Sequence, residues 1–496
     1  GFISSILFIF FMSVNIGNMV VSYSTLYKSR EVMYLLSKPI TYTELFIIKF
    51  LDNFFYSSTT LIIIILAVLG GYGSYFHLSW SFYIISVLFM VIPFMLTAAA
   101  LGVIFLMLLL LLSEKIGARK VLSLFSIFYL ITLLGFFQLD NPLNLVKNVM
   151  AFYPHINQYF GYLENPILKF LPNFWISDAL YWISNNQTYR AIPFIILMLA
   201  CSIIFVILAI MVAKRFYYKT WLISIELKFS KNKSNFTVNR FFSFRKNSLT
   251  KQPVDVILKK EFWQFVREPS QWIHLFILLS LIIIFIFSLA GINTSFIKHY
   301  NVNLITIIYL TVFIFNIFLI SSISLRFVFP LVSMEGEALW KVNSSPVNTF
   351  SFMFIRYLLY LLFILTISQV LNLIVQIKFS NLLLFPSILE ITFITISITA
   401  LNFGLGSFYS NFKEKNPIRI ASSAGASITF LLNIIYMVFL TGVLIYPIKQ
   451  IFIDNRFGGK LGSHDLFLSN LIIIIVSTLI TISSMLLSNK ALNRDF

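Results

Sequence analysis

Cysteine is nearly absent from this chain. Cys201 stands alone inside an apolar run, so neither a disulfide framework nor a thiolate metal site can be built. The thiol reads as a small helix- or lipid-facing group. Histidine is also sparse: His77, His155, His274, His299 and His464 are scattered without metal-ligand spacing. No G-x-x-x-x-G-K-[ST] stretch occurs, which excludes nucleotide binding by a P-loop within this chain. H-E-x-x-H, G-x-S-x-G and paired-acid motifs are missing as well, so a membrane protease or hydrolase has no support. A membrane-embedded glycosyl- or acyl-transferase would need an acid or histidine outside the spans. His155, Asp178, His464 and Asp465 are available but form no recognised motif. Charge is scarce too, at 11% of residues, where soluble domains hold about a quarter.

What the chain has is hydrocarbon. Hydrophobic residues make up 59% of it, in runs long enough to cross a bilayer as helices. Those runs lack the alternation of a membrane barrel, so the fold class is an all-α polytopic membrane protein. Eleven spans are predicted, at about 2–23, 43–67, 80–112, 120–138, 191–213, 271–291, 302–325, 349–375, 383–410, 420–447 and 468–488. The third is overlong and contains Pro93, which predicts a kink or tilt. The net charge of +18 fits the positive-inside rule better than nucleic-acid binding. With Arg30 and Lys38 on the cytoplasmic side, alternation leaves 26 of the 36 Lys and Arg in cytoplasmic loops, which fixes the orientation. Intramembrane acids are few: Glu44 and Asp52 at the start of one span and Glu390 near the end of another, where an interfacial position is expected. So few acids count against a proton-coupled secondary transporter or flippase, the main alternative.

The chain reads as two related halves. Residues 1–213 form a first transmembrane half, 214–252 a basic cytoplasmic linker that faces lipid headgroups, and 253–496 a second half. Pro39 matches Pro346 at an offset of 307. Ser37 then meets Ser344, Ile40 meets Val347, and Lys49 meets Arg356. At an offset of 300, Ala100-Leu101 meets Ala400-Leu401, and Glu114, Lys115 and Arg119 meet Glu414, Lys415 and Arg419. The second unit has six spans and the first has five. Because the chain begins at Gly1 within an apolar run, a missing first span is expected before it. Six spans per unit gives both units one orientation, a parallel repeat of two six-helix units.

Each unit carries a short mixed segment at the cytoplasmic face, "YKSREVMYLLSKP" and "VSMEGEALWKVNSSP". Val32, Leu35 and Leu36, and Leu339, Trp340 and Val342, suit a helix lying along the interface. Pro39 and Pro346 stop that helix, because the residue before a proline avoids the α region. Lys49 and Arg356, about ten residues into the following span, are expected to snorkel. The result is a rigid ledge between two spans.

These stretches, with "PVDVILKKEFWQFVREPSQWI" (253–273) and "LPNFWISDALYWI" (171–183), resemble the permease of type II ABC exporters over nearly the whole chain. The resemblance implies that Arg30, Glu31, Tyr34, Ser37 and Pro39, and Glu335, Glu337, Trp340, Lys341, Ser344 and Pro346, belong to coupling helices. It also implies that Lys259, Lys260, Glu261 and Arg267 lie on an amphipathic elbow helix, and that Pro172, Trp175 and Asp178 lie on an external re-entrant segment. The second unit departs from this pattern, since its external loop (448–467) carries "RFGGKLGSHD", so an asymmetric external gate is expected. The implied protein is a bacterial inner- or plasma-membrane permease that exports an unread substrate. Its partners are membrane lipid and two copies of a separate ATPase subunit. No cofactor is implied in the chain itself, and ATP-Mg belongs to the partner.

Overall fold

The computed structural model describes residues 2–140, 168–185, 187–226, 252–267, 302–339, 348–379, 383–414, 417–457 and 461–493, with isolated positions among 271–286 and at 342 and 344. All regular structure among these residues is helical. Two thirds of the predicted span 271–291 lies outside the described residues, as do Trp340, Lys341 and Pro346.

The chain divides into two compact units, Gly1–Phe236 and Thr237–Phe496. In the first, α1 (Phe2–Ser22) runs into a π turn (Tyr23–Lys28) and the short α2 (Arg30–Leu36). Helix α3 (Tyr42–Tyr75) leads away from that ledge. It has 34 residues, roughly 50 Å at 1.5 Å per residue, against about 30 Å of hydrocarbon. The return begins with α4 (Trp80–Ser86), passes a π turn (Val87–Val91) and continues as α5 (Ile92–Ile116). Pro93 sits one residue past that π turn. Proline clashes with the carbonyl four residues back, and the bond from the Ile92 N–H to Val87 O widens the ladder there. This is the physical form of the irregularity expected at Pro93.

Gly117, at φ +91°, reverses the chain into α6 (Ala118–Asp140). The unit closes with α7 (Pro172–Ser184) and α8 (Thr188–Glu226). Helix α8 continues past position 213 to Glu226, so the first part of the expected linker is helix. Residues 227–251 are not described.

The second unit opens with α9 (Gln252–Arg267). Helix α10 (Val302–Phe327) then leads to the second ledge. Helices α11 (Thr349–Phe379) and α12 (Leu384–Phe408) run away and back. The short α13 (Pro417–Ile420) precedes α14 (Ala424–Phe457) and α15 (Leu461–Leu492).

Seven helices among the described residues are long and apolar enough to cross a membrane, spanning 80–116, 188–225, 305–336, 349–377, 384–408, 424–454 and 464–492. Helices α1, α3 and α6 coincide with three further predicted spans. The chain is a multi-pass membrane protein.

Each unit has its own core. In the first, Ala98, Ala99, Ala100 and Val103 of α5 are fully buried. Gly102 allows α1 to approach, since a Cβ there would stand 2.6 Å from the Asn15 carbonyl. In the second, α12 packs closely on α15: a Cβ at Gly404 would meet the Ser484 carbonyl at 2.5 Å, and Ser407 bonds Ser488 at 2.9 Å. Such small-residue contacts let helices pack by van der Waals contact where lipid provides no hydrophobic drive. The outward faces stay apolar, as with Phe55, Ile196 and Val438.

Candidate functional site

The first ledge forms for local reasons. The Ser29 side chain caps α2 by accepting the Glu31 N–H. Ser37 ends the helix, with its hydroxyl donating to Tyr34 O at 2.7 Å. The chain turns through Lys38 and Pro39, and Thr41 starts α3 with a capping box closed by Glu44. Glu44 is therefore a capping residue. Val32 is buried and Leu35 and Leu36 are half-buried, while Met33 and Tyr34 face outward with Lys38 over the Tyr34 ring. Helix α2 thus turns one apolar side to the core of its unit. Arg30 is its first residue.

Lys49 does not snorkel to water. Its ammonium is buried and reaches back to Glu31 of α2 at 2.6 Å, with Asp52 of its own helix at 3.2 Å. Eighteen positions of sequence separate Lys49 from Glu31, so this pair locks the ledge to the span that follows it. Two tyrosine contacts tie the approach to α8: Tyr217 donates to Leu26 O at 2.7 Å, and Tyr27 bonds Thr220 at 3.0 Å.

The second ledge is built differently. Ahead of the expected helix, whose Leu339 and Val342 are helical, two 3₁₀ segments, Phe329–Leu331 and Ser333–Ala338, carry the chain. Gly336 at φ +57° and ψ −148° breaks the second of them, in a backbone region that residues with a Cβ rarely adopt. Gly406 of α12 lets the first segment sit on it, since a Cβ there would lie 2.2 Å from Phe329 O. Ser333 Oγ receives the Asn411 N–H at 3.0 Å, which closes the turn against the end of α12.

Arg356 is buried, not snorkelled, and it is the hub of this ledge. Its Nη1 donates to Glu335 at 2.6 Å and to Leu331 O at 3.1 Å. Its Nε stands 2.6 Å from Glu261 Oε1 on α9, outside hydrogen-bond geometry, so charge holds that contact. Lys260 of α9 also reaches Glu335, and Tyr360 donates to Glu261 at 3.2 Å. Glu335, expected as an exposed docking charge, is instead a nearly buried clamp residue. The Glu337 and Arg267 side chains lie outside what the structure describes, and Ser344 is exposed. Lys259, expected with the elbow's surface charges, turns inward and pairs with Asp255 one turn back. Val256 and Phe262 of the same helix point outward. Helix α9 therefore presents apolar groups to its surroundings and charges to the ledge.

At the opposite end of the first unit, α7 starts on Pro172, a favoured first-turn position for proline. Asn173 donates to Ser4 at 2.9 Å, Trp175 to Lys169 O at 2.8 Å, and Tyr72 at the far end of α3 to Ser184 at 3.0 Å. Asp178 is half-buried on this helix. The second unit has no matching short helix among its described residues. There α14 runs to Phe457 and α15 starts at Leu461, with His464 and Asp465 in its first turns. His155 lies outside the described residues.

Sequence reasoning placed the ledges and both cations but missed their acid partners. The signal present was an acid 18 positions ahead of Lys49 and 21 ahead of Arg356. Glu390, expected at the interface, is buried within its unit about two turns from the start of α12.

Among the described residues no group of three or more His, Cys, Asp or Glu is arranged to hold a metal ion. Comparison with known families gives one match over residues 2–495, to the family described as "Putative ATP-binding cassette". No curated protein and no solved structure matches the chain. The family match spans nearly the whole sequence, so the chain belongs to that ATP-binding-cassette family.

Proposed function

We propose that this chain is the permease subunit of an ATP-driven exporter, with two halves fused and each ledge docking one copy of a separate ATPase subunit. The family to which it belongs is named for ATP binding, and the chain has no P-loop of its own, so the nucleotide is assigned to a partner. One observation carries the reading. In both units the segment joining two spans is tied by an acid to a cation on the next span, Glu31 to Lys49 and Glu335 to Arg356. A push on either ledge is thereby delivered to a long helix, which is what coupling across a membrane needs. The exposed face of α2, with Met33, Tyr34 and Lys38, is the docking surface in the first half. Arg30, Ser37 and Pro39 set its position there, and Glu337, Trp340, Lys341, Ser344 and Pro346 serve the same role in the second half. Helix α9, with Lys260 and Glu261, acts as the elbow that braces the second ledge. Helix α7, with Pro172, Trp175 and Asp178, lies on the external side. Excess Lys and Arg on the ledge side place the ledges in the cytoplasm.

The test is purification of the full chain from its own host. It should carry two copies of a nucleotide-binding subunit per chain and hydrolyse ATP only in their company. Substrate export by the chain alone, with no such partner, would overturn the proposal.

A further inference from the structure

Helices α10, α11 and α12 of the second unit meet along a seam of polar side chains. At the ledge end, Tyr357 of α11 follows the hub Arg356 in sequence, and its hydroxyl bonds Thr399 of α12 at 3.2 Å. Thr399 donates back to Thr395 O at 2.7 Å, and the Thr395 hydroxyl bonds that of Ser368 on α11 at 3.2 Å. Asn316 of α10 joins there, donating from Nδ2 to Ser368 O at 3.4 Å. Further along, Gln369 of α11 donates to Thr392 Oγ1 at 2.9 Å and to Ile388 O at 3.1 Å. Asn372 donates to Ser387 Oγ at 3.1 Å. At the far end Gln376 donates from Nε2 to Asn372 Oδ1 at 3.3 Å and to Tyr309 Oη of α10 at 2.8 Å. Polar contacts thus follow one another from the ledge end of the unit to its far end.

These bonds do not use every polar group of the seam. Asn316, Gln369 and Gln376 each spend the amide NH₂ on protein and have the carbonyl oxygen left over. Among the described residues no donor reaches Asn316 Oδ1, Gln369 Oε1 or Gln376 Oε1, and all three oxygens are buried. Gln376 has no exposure and Asn316 has 2%. A buried amide oxygen without a donor gives up its hydration unrepaid, and the lipid around the unit offers no donor. What fits the seam must therefore donate. Tyr309 and Thr392, whose hydroxyls bond two of the same amides, can accept as well. Water does both, and it settles in buried places where several polar groups converge. The first unit differs at the matching positions. At the offset of 300, Ser387, Thr392, Thr395 and Thr399 meet Val87, Ile92, Met95 and Ala99, none of which carries a hydroxyl.

We propose that the α10–α11–α12 seam binds ordered water at Asn316, Gln369 and Gln376, as an internal hydration site of the second unit. A bridging water is nearly as good a partner as a direct bond. Helices α11 and α12 can then shift against each other while water takes over each bond that breaks. A dry polar zipper would instead hold them in one register. The inference concerns this unit by itself and does not depend on ATP-driven export.

The test is millisecond X-ray hydroxyl-radical footprinting of the full chain in lipid nanodiscs, read by mass spectrometry. Radiolysis of a bound water labels the side chains beside it, including those that bulk solvent does not reach. Tyr309 is 1% exposed and should be labelled. Tyr217 of the first unit is equally buried, with its hydroxyl bonded to Leu26 O, and should stay unlabelled. Gln376→Leu should remove the Tyr309 label. If that variant fails to fold, the contrast between the two tyrosines in the wild-type protein carries the test. An unlabelled Tyr309 in the wild type would overturn the proposal. So would equal labelling of Tyr217, or a Tyr309 label unchanged in folded Gln376→Leu.

Discussion

The two ledges are tied to the spans that follow them by different electrostatic means. In the first unit the clamp cation Lys49 is buried, but both of its acids are open to water, Glu31 with 62% of its side chain exposed. In the second, Arg356 and Glu335 are both nearly sealed, at 1% and 8%, and Glu261 of α9 closes the pocket. An exposed pair is worth roughly 0–1 kcal/mol and is screened by salt. Breaking a buried pair costs about 3–5 kcal/mol, because the remaining charge stays in a poor solvent. The difference teaches that the first ledge is held by a solvated pair, whereas the second is fixed to its span and to α9 together.

The sharpest way to break this comparison is Arg356→Ala. It leaves Glu335 and Glu261 facing each other without their shared cation, so about 3–5 kcal/mol of stability should be lost. Lys49→Ala should cost only about 1 kcal/mol, since Glu31 and Asp52 can hydrate. Thermal unfolding in matched nanodiscs would measure both, and equal losses would erase the distinction.

Gly406→Ala attacks the second ledge through packing. The new methyl would press on Phe329 O, and the 3₁₀ segment must shift, at about 1–3 kcal/mol. Proteolysis near 329–338 should accelerate in that variant, with the first unit unchanged. The mildest change is Thr41→Ala, which removes the cap of α3 at about 1 kcal/mol. Its stability loss should be the same in low and high salt, unlike that of Glu31→Gln, which should shrink as salt rises.

Much of this architecture was legible beforehand because hydrocarbon leaves so few choices. Runs such as 302–325 and 383–410 could only be helices, and their ends fell close to the observed ones. The first ledge was legible because Ser37 and Pro39 end a short helix by local chemistry, although the caps at Ser29 and Thr41 were not read. The second was less so: the glycine between two glutamates, Glu335-Gly336-Glu337, sits in a 3₁₀ segment that comes ahead of the helical Leu339 and Val342. The clamps were hidden for a different reason. Aligning the prolines sets an offset of 307, but Glu31 and Glu335 lie 304 apart, so the acid shifts by one 3₁₀ turn between units. Local pattern cannot show that a snorkelling cation has a partner eighteen or twenty-one positions back.

The most direct measurement is substrate exported per ATP hydrolysed, in vesicles holding the chain with its ATPase partner, for Glu31→Gln and Glu335→Gln beside the wild type. If the acid–cation clamps deliver ledge motion to the spans, the partner should still bind and hydrolyse ATP, while export per ATP falls in both variants and further in Glu335→Gln. An unchanged ratio in both would contradict the account and leave the ledges as ordinary turns at the membrane surface.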